Sequence, residues 1–191
     1  MTTVVVPFRA RGKSRLPAEI RVELALAMLG DVLEAAVAHA DHVRLVTGDE
    51  AASVIAADLG VEVVADPGGG QGAAVRAALA GLEGPCLVVN ADLPCATAAA
   101  LGHLAGLGSA CVPAPDGTTN ALSLTDPASF APQYGPDSAA RFAADGLGPV
   151  SIPELERDVN TILDLERLAL PVGRRTSFVS DRHGVVVAPT A

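Results

Sequence analysis

Short runs of β-branched and aliphatic residues alternate along this chain with longer stretches where alanine and leucine recur at helical spacing. TVVVPF at 3–8 is apolar almost throughout, the pattern of a strand covered on both faces, and it predicts a central position in a sheet. Within 18–40, Ile20, Leu24, Met28 and Val32 recur every four residues, which predicts a helix with one apolar face. HVRLVT at 42–47 and VEVVA at 61–65 predict strands on either side of a helix at 49–59. A helix at 72–83, the strand CLVVNA at 86–91 and a helix at about 97–107 complete the regular part. The second half is less periodic. ACVPAP (110–115) and NALSLT (120–125) read as strands around a turn at Asp116-Gly117, and 136–145 as a helix with Pro136 in its first turn. VSIP at 150–153 reads as a strand, 162–170 as a short helix, and VVVAP near the end as another strand. The alternation predicts an α/β fold, a mostly parallel central sheet with helices on both faces.

Length and composition narrow this to one domain over residues 1–191, with no internal repeat or linker and with 171–191 as an extension packing on the domain or on a second subunit. Half of the chain is apolar, mostly alanine and valine, while aromatics make up 3%. Such a chain suits close helix packing and lacks the exposed aromatic platforms of single-strand nucleic-acid binders. A net charge of −9 argues further against nucleic acid or anionic lipid as a partner. Cys86, Cys95 and Cys111 have no CxxC spacing and make no zinc set with the four histidines, so buried free thiols in a reducing cytoplasm are expected. The start reads as no signal peptide, and the uncharged stretch 93–115 is too broken by proline and glycine to read as a membrane span.

Four segments carry candidate chemistry. RARGKSRL at 9–16 follows the first strand and concentrates Arg9, Arg11, Lys13 and Arg15, and Lys13 is the only lysine in the chain. Cations at the carboxyl end of a central strand can neutralise a triphosphate, although the loop lacks the glycines of a Walker A. NADLPC at 90–95 places Asp92 after an apolar strand, where an ionised carboxylate can serve Mg²⁺ or simply cap a turn. In DVNT at 158–161, Asp158 and Asn160 alternate, so an extended backbone points both oxygens the same way. GTTNAL at 117–122 and YGPDSAARF at 134–142 offer Thr118, Thr119, Gly135 and Ser138 around a predicted helix start, a setting that suits phosphate or carboxylate.

A fifth segment, DPGGGQGAAV at 66–75, fits G-x-G-x-x-A with Gly68, Gly70 and Ala73. Alone it predicts a dinucleotide turn, with Asp92 near the spacing of a ribose-binding acid. Against an NAD(P)-dependent oxidoreductase, the turn follows the third predicted strand rather than the first. A non-catalytic nucleotide-binding module is the other alternative.

In order, GKSRL, DPGGG, ADLP, GTTNAL, YGPDSAARF and DVNT resemble the CofC/FbiD guanylyltransferases of coenzyme F420 biosynthesis, relatives of the MobA-like nucleotidyltransferases, from about residue 4 to 168. The resemblance implies a Rossmann-like nucleotidyltransferase domain (GT-A-like, a three-layer sandwich). It implies a reaction of GTP with a phosphorylated three-carbon acid, releasing pyrophosphate. Phosphoenolpyruvate, 2-phospholactate and 3-phosphoglycerate are the acceptors to consider, and the alanine- and arginine-rich composition tilts toward the first. By the same resemblance, Asp92 with Asp158 or Asn160 would hold Mg²⁺, and Lys13, Arg9 and Arg15 would stabilise the leaving pyrophosphate. Pro7, Lys13, Asp66, Gly68, Gly69, Gly70 and Gly72 would line the nucleotide site, and Thr118, Thr119, Gly135 and Ser138 the acceptor site. Two positions depart from the pattern: Gln71-Gly72 stands where relatives usually carry leucine-asparagine, and Asn160 where they tend to carry aspartate. A homodimer built on the tail and a tail that only covers a sheet edge are both left open.

Overall fold

The computed structural model describes residues 2–9 and 15–188. Seven strands form one sheet in the order β3-β2-β1-β4-β6-β5-β7, where β1 is Thr3–Pro7, β2 His42–Thr47, β3 Glu62–Ala65, β4 Cys86–Val89, β5 Ala110–Pro113, β6 Thr119–Leu124 and β7 Gly148–Pro149. All run parallel except β6, which lies antiparallel between β4 and β5. β1 is central, as its unbroken apolar pattern requires, whereas β3, with Glu62 in it, is an exposed edge.

The sheet's two faces are sorted by alternate residues. Val4, Val6, Leu87 and Val89 pack under α1 (Ala18–His39), α2 (Glu50–Asp58) and α4 (Ala98–Gly106). Val5, Cys86 and Val88 face the opposite layer, α3 (Gln71–Leu79) and α5 (Ser138–Ala144), where Phe142 sits against Phe130 and Tyr134. This is the three-layer α/β arrangement expected from the sequence.

The departures lie in the second half. β7 occupies 148–149 rather than 150–153, and the helix expected from 136 starts at Ser138, because Asp137 takes a left-handed backbone (φ 56°) that a helix cannot include. α6 (Ile162–Glu166) is shorter than 162–170 and is opened by a capping box between Thr161 and Asp164. No strand forms at 185–188. The tail instead supplies a helix, α7 (Arg174–Arg182), laid along α1. Its first turn is held by the buried Asp31 of α1, which accepts from the N–H groups of Arg175 and Thr176, both at 2.9 Å. Glycine permits the approach, since a Cβ on Gly173 would lie 2.2 Å from Asp31 Cγ. A third apolar cluster, with Met28, Cys95, Val159, Leu165 and Val179, joins α1 to this C-terminal wrap. Among the described residues no helix is long and apolar enough to cross a membrane.

Candidate active site

The carboxyl ends of β1, β3 and β4 open into one cavity of about 240 Å³. Parallel strands end together, so the polar residues that follow their apolar runs are gathered along a single rim. Phe8 continues the ladder by donating its N–H to Val46, Asp66 does the same to Thr47, and Asn90 to Asn120. Pro7, Phe8, Val46 and Ala74 give the cavity an apolar floor, and Arg9, Asp66, Gln71, Asn90 and Asp92 bring its polar groups.

Each polar group has a defined setting. Arg9 grips Asp66 in a bidentate pair at 2.5 and 2.8 Å, and Asp66 also accepts from the Gly68 N–H at 2.9 Å. The Arg9 contact, reinforced by Gly68 and opposed by partial burial, holds the Asp66 carboxyl below its ordinary range. Gly68, Gly69 and Gly70 all have positive φ, so the turn before α3 is one that side-chain-bearing residues rarely adopt. Gly72 answers a different demand: its Cβ would lie 2.5 Å from Pro132 Cβ. The missing side chain at that position is therefore matched by the segment packed on it.

Asp92 lies half-buried just past β4, and its backbone carbonyl accepts from Val159 at 3.0 Å. That bond draws the 158–161 segment to the cavity rim. Asn160 donates its amide to the Asp158 carboxylate at 2.5 Å, so the alternating pair does share one side, as expected of extended backbone. Among the described residues no three His, Cys, Asp or Glu side chains converge. What the backbone brings side by side here is Asp92 and the segment that carries Asp158 and Asn160.

The acceptor-side candidates fall into two groups. Thr119 and Ser138 are both buried and their hydroxyls meet at 3.0 Å, bridging β6 to the start of α5. Gly135 (φ 118°) lies beside the Arg141 guanidinium, which staples the loop by donating to the Gln133 and Pro136 carbonyls. Thr118 stands apart: its hydroxyl donates to Asp116 at 2.6 Å and serves the hairpin turn. Arg15 is exposed, and its charge reaches two carboxylates. Asp116 is held down first by the Thr118 hydroxyl and N–H, with Arg15 adding to them against burial. At Asp164 burial acts upward and is outweighed by bonds from Thr161 and Asn160, again with Arg15 nearby. Lys13 lies outside the described residues.

Sequence reasoning passed over Asn90, the hub of the rim. Its amide donates to the Thr119 carbonyl at 3.1 Å and its oxygen accepts from Gln71 at 2.7 Å. The available signal was a polar residue directly ending a fully apolar strand.

A sheet of this order with a cavity at its strand ends, an acidic residue after β4 and a glycine turn on the edge is the frame of a nucleotidyltransferase. The model of the MobA-like NTP transferase domain matches residues 19–144, and the chain belongs to that family. A phosphoenolpyruvate guanylyltransferase of Streptomyces coelicolor is 38% identical to it over 94% of this chain and 96% of its own length. Another, from Nocardia farcinica, is 37% identical over 88% of this chain and 82% of its own. Among solved structures, a nucleotidyl transferase from Methanothermobacter thermautotroptrophicus matches with a TM-score of 0.64 at 18% identity, over 86% of this chain and 94% of that one. A 4-diphosphocytidyl-2C-methyl-D-erythritol synthase matches with a TM-score of 0.53 at 18% identity, over 95% and 98%.

Proposed function

We propose that this protein transfers the guanylyl group of GTP to phosphoenolpyruvate and releases pyrophosphate. Its relatives at 37–38% identity bear that activity in their names and span nearly the whole chain. The observation that carries the proposal is the bond from Val159 N–H to the Asp92 carbonyl, which lays the segment holding the Asp158–Asn160 pair alongside Asp92 at the cavity. These are oxygen donors only, with one charge-neutral member, which fits Mg²⁺ shared with substrate phosphates and does not fit zinc. Bound there, Mg²⁺ would supply charge neutralisation for the triphosphate.

The chain's own groups then have simple tasks. The acceptor's phosphate is already ionised, so no side chain need act as nucleophile or strong base. Its oxygen attacks the α-phosphorus in line, one P–O bond forms, and the bond to pyrophosphate breaks. Arg15 and Lys13 are assigned to the charge that develops on the leaving group. Arg9, occupied by Asp66, is assigned chiefly to shaping the nucleotide wall. Thr119, Ser138 and Gly135 would receive the acceptor, and the glycine turn 68–70 would let the nucleotide approach the backbone closely. Use of the product in coenzyme F420 assembly, a cytoplasmic setting and a choice between monomer and homodimer rest on the resemblance and composition alone.

The test is incubation with GTP, Mg²⁺ and, in separate reactions, phosphoenolpyruvate, 2-phospholactate and 3-phosphoglycerate, with pyrophosphate measured. Release is expected, fastest with phosphoenolpyruvate. No release with any of the three acids would remove the transferase proposal, and a faster reaction with another acid would change the acceptor.

A further inference from the structure

The turn that opens α3 holds a single side-chain amide, Gln71, and its orientation is set by partners in a chain of three. The Thr119 carbonyl can only accept, so the Asn90 atom facing it at 3.1 Å is Nδ2. Asn90 therefore turns its Oδ1 toward Gln71, and the Gln71 atom meeting it at 2.7 Å is the donor Nε2. This leaves Gln71 Oε1. Gln71 lines the cavity together with Asn90 and Asp66, and among the described residues nothing donates to that oxygen. The neighbouring position cannot share the task, because a side chain on Gly72 would run into Pro132.

An acceptor fixed in place calls for a donor on the ligand. Ionised phosphates offer none. On a nucleoside triphosphate the donors are the ribose hydroxyls and the N–H groups of the base. The apolar floor of Pro7, Phe8, Val46 and Ala74 suits the flat face of a base and leaves its edge toward the polar wall. Guanine presents adjacent ring and amino N–H groups there, whereas adenine places a ring acceptor beside its amino group. We propose that Gln71, oriented by Asn90, is the residue with which this chain reads its base, Oε1 accepting from the N–H edge of guanine. Asn90 is the positioning residue in this pair. The proposal rests on the guanylyl reading above.

The experiment is calorimetric titration of the full chain with Mg²⁺ and GTP, 2′-deoxy-GTP or ATP, for wild type, Gln71→Leu and Gln71→Met, each first shown to keep the wild-type melting midpoint. Loss of one well-placed hydrogen bond predicts GTP binding weaker by about tenfold. The same factor is expected for 2′-deoxy-GTP, and no change for ATP. In turnover the GTP KM should rise with kcat and the acceptor KM held. GTP affinity unchanged in both variants overturns the proposal. So does a loss with GTP that is absent with 2′-deoxy-GTP, which assigns Oε1 to the ribose, and so does an equal loss with ATP, which makes Gln71 structural. Wild-type protein that fails to bind GTP would defeat the guanylyl reading itself and this inference with it, a result distinct from tight wild-type binding with unaltered variants.

Discussion

At the scale of single residues, Asp92 and Asp66 are both carboxylates on one rim but do different work. Asp66 is already satisfied by Arg9 and Gly68, whereas Asp92 stands where the 158–161 loop is drawn in. Asp92→Ala is therefore expected to lower kcat by about a hundredfold or more while the melting midpoint stays within the range of ordinary surface changes, as steady-state kinetics and thermal denaturation will show. Near-normal turnover would remove Asp92 from the proposed Mg²⁺ set. Asp66 makes the opposite prediction, on stability and pH. Its folded pKa is depressed by the Arg9 contact, so the stabilisation exists above the unfolded carboxylate value and is lost as pH falls through the folded one. Because the Arg9 side of the pair is exposed to solvent, which screens the charge, Asp66→Asn should cost no more than about 1 kcal/mol at pH 7. Denaturant midpoints of wild type and variant should begin to draw together below about pH 4 and meet only once pH has fallen through the lower folded value, and a gap that persists beyond that would contradict the pairing.

At the scale of elements, the regular first half was legible because each strand there is a short run rich in valine and each helix repeats alanine or leucine at helical spacing. Asp92 was legible because it follows the apolar run of β4, and Asp158 and Asn160 because they alternate within DVNT. What the sequence concealed is made by long-range contact. α7 buries Thr176, Val179 and Ser180 at helical spacing, but two of the three are polar and so make no apolar stripe, and its first turn is satisfied by Asp31, more than 140 residues earlier. Gly72 looked like a lost ligand because nothing local points to Pro132 lying above it. The hub at Asn90 depends on β6 being inserted antiparallel beside β4, a pairing that spacing cannot announce. These contacts are directly testable with one methyl group. Gly173 has an extended backbone (φ −63°, ψ 161°) open to any residue, so Gly173→Ala adds no backbone strain and acts by driving a Cβ into Asp31. A cost of about 1–3 kcal/mol is expected, read as a lower denaturant midpoint and faster proteolysis between residues 166 and 188. Unaltered stability would mean that α7 is not seated on α1 as described.

At the scale of the whole molecule, the three thiols sample the fold at separate depths. Cys86 and Cys111 lie between the sheet and the α3–α5 layer, and Cys95 under the C-terminal wrap, where its Sγ faces the Leu170 carbonyl at 3.6 Å. Burial pushes the Cys86 thiol up to about 12 and Cys95 to about 11, so at neutral pH neither presents the thiolate that reacts. Labelling by a disulfide reagent must then wait for opening, and its rate reports which part of the molecule opens first. The wrap is joined to the rest mainly through α1, whereas the sheet is crossed by helices on both faces. Cys95 is accordingly expected to label before Cys86 and Cys111 in dilute denaturant, with Gly173→Ala widening the interval and leaving the other two rates unchanged. In wild type, equal rates for all three would instead show that the C-terminal wrap and the nucleotide-binding sheet unfold as one cooperative unit. The same thiols set a pH limit: they stay protonated in the fold and ionise in the unfolded chain, so their contribution is complete below about pH 8.5 and declines above it. Replacing Cys86 and Cys95 by alanine should flatten that alkaline decline in the denaturant midpoint, whatever it costs in packing at pH 7.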